Sequence, residues 1–252
     1  MSDILSDVES GVLSIRLNRP AKKNALTDAM YGHLAELLNE AASAPEIGVV
    51  LVSGEGADFC AGNDLSMFAE AGTSGPDIES SNTEPFLQAL STFPKPLVAA
   101  VTGRAIGVGV TMLFHYDLVF VAADAQLRMP FIDLGLVPEA GAAYLLPSLV
   151  GHQRAFEIFA LNKPISGEIA VNLGIANTAL AAPEVRPAAL EAATRLAAKP
   201  TSALIATKKL MRNAPSLAKA LTADRAAMLE RLKSPEAMAA FEAFLGKAHP
   251  SG

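Results

Sequence analysis

Two glycine-punctuated segments hold the residues best placed to do chemistry: Cys60-Ala61-Gly62-Asn63-Asp64-Leu65 and Gly103-Arg104-Ala105-Ile106-Gly107-Val108-Gly109. The second follows the apolar run Val98-Ala99-Ala100-Val101 and precedes Val110-Thr111-Met112-Leu113-Phe114, an order of strand, glycine turn and helix. That order leaves unpaired N–H groups at a helix N-terminus, where the macrodipole also favours negative charge. An oxyanion could sit at Val108. The spacing misses the dinucleotide fingerprint GxGxxG, and no acidic residue ends a following strand as that fold requires. In the first segment, small Ala61 and Gly62 let a ligand approach the backbone, and Asp64 at the start of a helix can fix the loop by capping. Taken alone, this segment reads equally as a tight strand-to-helix turn.

These loops need rigid elements on either side. Val12, Leu13, Ile15 and Leu17 alternate around Ser14 and Arg16, a period-2 strand pattern that ends at Asn18-Arg19-Pro20. Thr27 is a candidate N-cap for a helix to about Ala42, along which Met30, Leu34, Leu37, Leu38 and Ala41 recur at helical spacing; Pro45 closes it. The continuous apolar runs at 48–53, 96–101 and 117–122 have the length of strands covered on both faces. Helix-like stretches separate them, so the fold class is α/β with a largely parallel sheet under helices. The segment 68–83 is poor in apolar residues and reads either as a loop gating a pocket or as a plain exposed linker. From Pro183 onward the chain is alanine-rich and repeatedly helical, with apolar stripes such as Leu217, Leu221, Met228 and Leu232 that suit packing on the core or on a neighbouring subunit.

Composition narrows the function classes. The 252 residues suffice for one large domain, and 51% hydrophobic against 18% charged residues, with no Trp, predict an aliphatic, alanine-rich core. A net charge of −6 argues against a nucleic-acid partner, because phosphate backbones need a basic face. The single Cys60 excludes an intrachain disulfide and a cysteine-rich metal site, and the four histidines (His33, His115, His152, His249) lack ligand spacing, so no metal is expected. The acidic start has no secretory pattern and no apolar run reaches the roughly 20 residues of a membrane span, so a soluble cytoplasmic protein is expected.

AGxDL after one strand and GxAxGxG after the next together resemble the crotonase superfamily of enoyl-CoA hydratases and isomerases. The resemblance continues through Asn18-Arg19-Pro20, Asn24-Ala25-Leu26, Pro138-Glu139-Ala140-Gly141 and Gly151-His152-Gln153-Arg154-Ala155, and so covers nearly the whole chain. It implies a spiral of ββα units over residues 1–190 and a helical trimerisation region over 191–252, assembled as a homotrimer or dimer of trimers. It also implies an acyl-CoA thioester substrate whose carbonyl oxygen is bound by the N–H groups of Asn63 and Val108. The ligand would lie across Gly62, Asp64, Leu65 and Gly107, its adenine end near Asn24, Ala25, Leu26 and Ala61, with Lys247 reaching the CoA phosphates. No separate cofactor is implied, since coenzyme A is part of the substrate. Removing a thioester α-proton requires the charge on that oxygen to be stabilised as it forms, and losing one such donor typically costs about 3–4 kcal/mol of barrier.

The same resemblance locates the proton-transfer groups. Hydratases of the family use two glutamates; at those positions this chain has Thr111 and Phe131, neither able to act as a base. Adding water needs a positioned water and proton transfer, so hydration is disfavoured. Glu139, in the PEAG segment, matches the catalytic glutamate of peroxisomal-type Δ3,Δ2-enoyl-CoA isomerases and their bacterial relatives. One carboxylate suits a 1,3-proton shift, and burial beside aliphatic groups should raise its pKa. Asp133 reads as solvated or bonded within its turn, Asp117 and Asp124 as structural, His115 as a core histidine, and Arg104 as a phosphate contact or a salt-bridge partner. Hydration or another acyl-CoA reaction on the same fold, and a silent acyl-CoA-binding subunit, are the alternatives. Chain length and exact substrate are not encoded in these motifs.

Overall fold

A computed structural model of the chain describes residues 2–64 and 81–248, with side chains in the last helix described as far as Ala243. The segments expected to be strands are strands because β-branched and aliphatic residues fill both of their faces. β2 (Val12–Leu17), β3 (Val49–Gly54), β4 (Leu97–Val101) and β6 (Leu118–Ala122) pair in parallel, and β9 (Thr178–Leu180) extends the sheet beside β6. Val49, Val50, Leu97, Val98 and Ala99 are each 0% exposed, as a sheet covered by helices on both sides requires. The full order is β1-β2-β3-β4-β6-β9.

β1 (Ile4–Glu9) departs from the sequence reading, which assigned no structure to the acidic start. It is an antiparallel edge strand, turned into β2 through Ser10 and Gly11, both at positive φ. Only Ile4 is buried along it, so the strand is held by its backbone ladder and carries almost no hydrophobic signal.

A second layer gives the fold its spiral. After β4 the chain turns at Thr102-Gly103 into the short β5 (Arg104–Ile106), and after β6 into β7 (Gln126–Arg128), which pairs with β5; β8 (Ile165–Ser166) completes this three-stranded sheet. After β3 the chain contributes Cys60, which bridges Ala105 of β5. Each long strand is thus followed by a short strand-like segment and then by irregular or helical chain, the expected ββα unit. The expected direct passage from strand through glycine turn to helix at 98–110 is corrected by this: β5 intervenes, and the helix begins only after Gly107.

Among the described residues the helices are α1 (Asp28–Ser43), α2 (Thr83–Thr92), α3 (Val108–Thr111), α4 (Ala142–Val150), α5 (His152–Ala160), α6 (Gly167–Asn172), α7 (Ala182–Ala197), α8 (Thr201–Met211), α9 (Ala214–Leu232) and α10 (Pro235–Ala248). α1 starts where the sequence placed it: Thr27 accepts a hydrogen bond from the Met30 N–H, and Met30, Leu34, Leu38 and Ala41 are buried. α7 runs through residue 190, where the core was expected to end, and packs on β3, β4 and β6. Asp117 is structural, as read from sequence: it accepts from the Leu97 N–H and from Lys208 Nζ of α8 at 2.7 Å, fastening that helix to the sheet. The segment 68–83 lies outside the described residues as far as residue 80; beyond it Asn82 donates to both oxygens of Asp28. No helix among the described residues is long and apolar enough to cross a membrane.

Loss of the α1 cap is measurable. Thr27→Ala should lower the unfolding free energy by about 1 kcal/mol, read from the urea midpoint at unchanged m-value.

Candidate active site

Three backbone segments are stitched side by side at the sheet's end. Cys60 N–H donates to Arg104 O at 3.0 Å and Ile106 N–H to Cys60 O at 2.9 Å, which joins the first glycine segment to β5. Leu26 N–H donates to Gly62 O at 2.8 Å and Asp64 N–H to Leu26 O at 2.9 Å, which joins it to the 24–26 turn. Glycine is required where the loops touch. Gly62 has φ +90° and a Cβ there would lie 2.8 Å from Ile106 O, while a Cβ on Gly109 would lie 2.5 Å from Cys60 O.

This joint holds the segment that carries Asn63 beside the segment that carries Val108. Several N–H groups around them are spent: Asp64 N–H on Leu26 O, Gly107 N–H on Arg128 O at 2.9 Å and Val110 N–H on Gly107 O at 2.9 Å. Those of Asn63 and Val108 have no acceptor among the described residues. Val108 is the first residue of α3, and Gly107 before it, at φ +55°, has no atom within 4 Å of where a Cβ would stand. Backbone N–H groups without an internal acceptor can stabilise a developing oxyanion.

Glu139 stands in a turn built to present it. Ala142 N–H donates to Glu139 O at 3.0 Å, and the central residues Ala140 and Gly141 have φ +60° and +72°, the signs of a type I′ turn. Ala140 is an L-residue in the left-handed region and needs support from its surroundings. That support comes from His115, 1% exposed, whose Nε2 lies 2.7 Å from Ala140 O. Burial pushes the His115 ring down to about 4, despite the Ala140 contact that favours its charged form. The imidazole is therefore neutral at pH 7 with its proton on Nε2, and its buried Nδ1 has no partner among the described residues. From the other side, Asp224 of α9 accepts a hydrogen bond from Gly141 N–H at 2.9 Å.

Burial pushes the Glu139 carboxyl up to about 7; Thr111 Oγ1, donating to Oε1 at 2.7 Å, pulls it down, and the Asp224 charge pushes it up. A base titrating near neutrality is suited to proton transfer at that pH. Burial also raises Asp224 to about 6, against the Gly141 hydrogen bond.

The other sequence-derived residues fall into three groups. Thr111 (0% exposed) and Phe131 (7%) are buried, Thr111 on the base itself. Asn24 is near the first loop, but its side chain is consumed inside the protein: it accepts from Arg19 N–H and donates to Glu55 O and Asp58 O. Leu26 is likewise buried, so of the expected adenine-side residues Ala25 and Ala61 retain exposed surface. Asp64 accepts from Arg19 Nη1 at 2.9 Å, which also holds Ala25 O, and the helix start that it was expected to cap lies outside the described residues; the sequence could not show a pairing across 45 positions. Leu65 lies outside the described residues. Lys247 lies in α10 beyond the last described side chain. Asp133 is exposed and accepts from Asn162 outside its own turn, and Arg104 faces Asp58 at 3.7 Å, the salt-bridge alternative.

Sequence reasoning missed Tyr31 and Asp224. Tyr31, buried in α1, donates its hydroxyl hydrogen to Asn63 Oδ1, and burial, then Glu139, keeps it protonated by raising its pKa well above normal. Both had a signal: each places a polar group within the apolar stripe of its helix, Tyr31 beside Met30 and Leu34, Asp224 between Leu221 and Met228.

A spiral of ββα units with two backbone N–H groups left without an acceptor among its described residues, and a half-buried carboxyl raised toward neutrality, is the architecture of a crotonase-type enzyme. The chain belongs to the enoyl-CoA hydratase/isomerase family, which it matches over residues 7–251. It is 33% identical to 1,2-epoxyphenylacetyl-CoA isomerase of Escherichia coli (strain K12) over 99% of this chain and 98% of that protein. It is 36% identical to enoyl-CoA delta isomerase 2 of Rattus norvegicus over 68% of this chain and 44% of that longer protein. The structure of Pseudomonas aeruginosa OdaA superposes with a TM-score of 0.91 at 42% identity, covering 97% of this chain and 99% of that one.

Glu139 has a thermodynamic signature. Its folded pKa lies above the unfolded value near 4.5, so its contribution to stability is fully present below about 4.5 and is lost as pH rises through about 7. Glu139→Gln, which cannot ionise, should therefore raise Tm relative to wild type by more at pH 8 than at pH 5. An increment that does not grow with pH would contradict the raised pKa.

Proposed function

We propose that this protein is an enoyl-CoA isomerase that converts 3-enoyl-CoA to 2-enoyl-CoA in fatty acid metabolism. The observation that carries the reading is Glu139: a half-buried carboxyl pushed up to about 7, hydrogen-bonded by Thr111 at the position where hydratases of the resemblance carry a glutamate. The Glu139 carboxylate takes a proton from C2. The electron pair of that C–H bond delocalises through C1 onto the thioester oxygen, where the N–H groups of Asn63 and Val108 hold the dienolate. The protonated Glu139 then returns its proton to C4, the C3–C4 double bond becomes C2–C3, and no atom is gained or lost. Thr111 donates to the carboxylate and leaves it one oxygen with which to accept the proton. Phe131 makes its wall apolar and gives a nucleophilic water no base.

The reaction calls for no cofactor besides the CoA carried by the substrate, and no metal. Assembly as a homotrimer or dimer of trimers in the cytoplasm belongs to the same reading; it is supported by the apolar side chains that this single chain leaves exposed, Phe156 at 64% and Met211 at 81%. Light scattering that found one chain per particle would contradict the assembly.

Incubation with 3-hexenoyl-CoA should yield 2-hexenoyl-CoA with an acid limb in kcat near pH 7. Glu139→Gln should lose on the order of 100- to 10,000-fold in kcat with KM little changed. Crotonyl-CoA hydration at a rate comparable to isomerisation would transfer the preference to a hydratase.

A further inference from the structure

We infer that Asp224, on the C-terminal helix α9, is a positioning residue for the base: it fixes the Ala140-Gly141 turn and places a negative charge behind Glu139. The inference deepens the proposed isomerase reading and rests on its assignment of Glu139 as the base. The turn that presents Glu139 is clamped between two bodies. From the core side Thr111 holds the carboxyl and His115 holds the Ala140 carbonyl. From the C-terminal side Asp224 holds the Gly141 N–H at 2.9 Å, and Leu217 covers the same glycine so closely that a Cβ there would lie 2.8 Å from its Cδ1. The stretch leading to the turn is pinned by α9 and by α10: Arg231 Nε donates to Gly135 O at 3.0 Å, and a Cβ on Gly135 would lie 2.8 Å from Ala237 N.

Consecutive left-handed residues, one of them alanine, do not hold their shape unaided. The single peptide group between them is bonded at both ends by side chains, its Ala140 carbonyl by His115 and its Gly141 N–H by Asp224. A neutral acceptor would serve the geometry alone. Asp224 adds charge, and the groups facing Glu139 from the other packed elements supply none to offset it: Thr111 is neutral, His115 is held neutral with its pKa near 4, and burial raises both Tyr31 and Cys60 away from ionisation. Lys208 and Arg212, whose charges reach His115, are engaged by Asp117, with Arg212 also on the His115 carbonyl, and Arg231 on the approach to the turn faces Glu236 at 3.3 Å. Through Asp224, the C-terminal helical region expected to pack on the core or on a neighbouring subunit helps to set the proton affinity of the active site.

The test separates geometry from charge. Asp224→Asn keeps an acceptor for Gly141 and removes the charge; the acid limb of kcat with 3-hexenoyl-CoA should move down by roughly half a pH unit or more. Asp224→Ala removes both, and kcat should fall roughly 10- to 100-fold with KM held, as expected for a displaced base. Leu221→Ala, which trims the same helix and touches no charge, should lower Tm and leave the acid limb in place. A second readout is independent of turnover: 13C-carboxyl NMR of Glu139, assigned by its loss in Glu139→Gln, should show the Glu139 titration moving down in Asp224→Asn. If Glu139→Gln remains active, the assignment of the base fails, while the NMR titration still decides whether Asp224 acts on Glu139. An acid limb and a carboxyl titration unchanged in Asp224→Asn would reduce Asp224 to a structural cap and overturn the inference.

Discussion

The site depends on one joint, the pair of hydrogen bonds between Cys60 and the strand Arg104–Ile106. Loops leaving two neighbouring parallel strands would ordinarily diverge. Here Cys60 extends the small second sheet as a further edge, so both loops are held to one plane, and Gly62 and Gly109 let their backbones come within contact distance. Once those two backbones are locked, the N–H groups of Asn63 and Val108 have no acceptor among the described residues. The donors belong to the main chain, so their placement is a property of the fold and is insensitive to the side chains at 63 and 108.

The base imposes the opposite requirement. A carboxyl taken out of water resists ionisation, and its raised pKa is stability lost at neutral pH. The protein confines that cost to one turn and supports it heavily: Thr111 on the carboxyl, His115 and Asp224 on the two ends of the central peptide of a strained turn, α9 and α10 across the approach. Active sites gather such strain where the surroundings over-determine the geometry. Thr111 illustrates how the chemistry is selected. Thr111 stands where the resemblance places a second acid and donates to Glu139, which under the proposed reading leaves one carboxylate to move a proton.

Much of this was legible in the sequence because the signals were local. Continuous apolar runs marked β3, β4 and β6, Thr27 marked the start of α1, and the two glycine segments marked the loops where backbones approach. The resemblance of spaced motifs then located Glu139. What stayed hidden was long-range or carried by the main chain. β1 is an edge strand with one buried residue, and β5 is too short to show a period. Asp64 meets Arg19 across 45 residues, Asn24 spends its amide on Glu55 and Asp58, and Asp224 reaches a turn 83 positions earlier. No window of sequence contains both partners of such bonds. Only the misplaced polarity of Tyr31 and Asp224 within apolar helix stripes announced that those positions served something besides packing.

The account rests on two backbone donors and one carboxylate acting on the same thioester, and the most direct measurement is a crystal structure of Glu139→Gln with 3-hexenoyl-CoA bound. The thioester oxygen should lie roughly 2.7–3.1 Å from both the Asn63 and Val108 nitrogens, with the side chain at 139 about 3–3.5 Å from C2 and within reach of C4. A thioester oxygen bonded elsewhere, or an acyl chain whose C2 and C4 face away from residue 139, would contradict it.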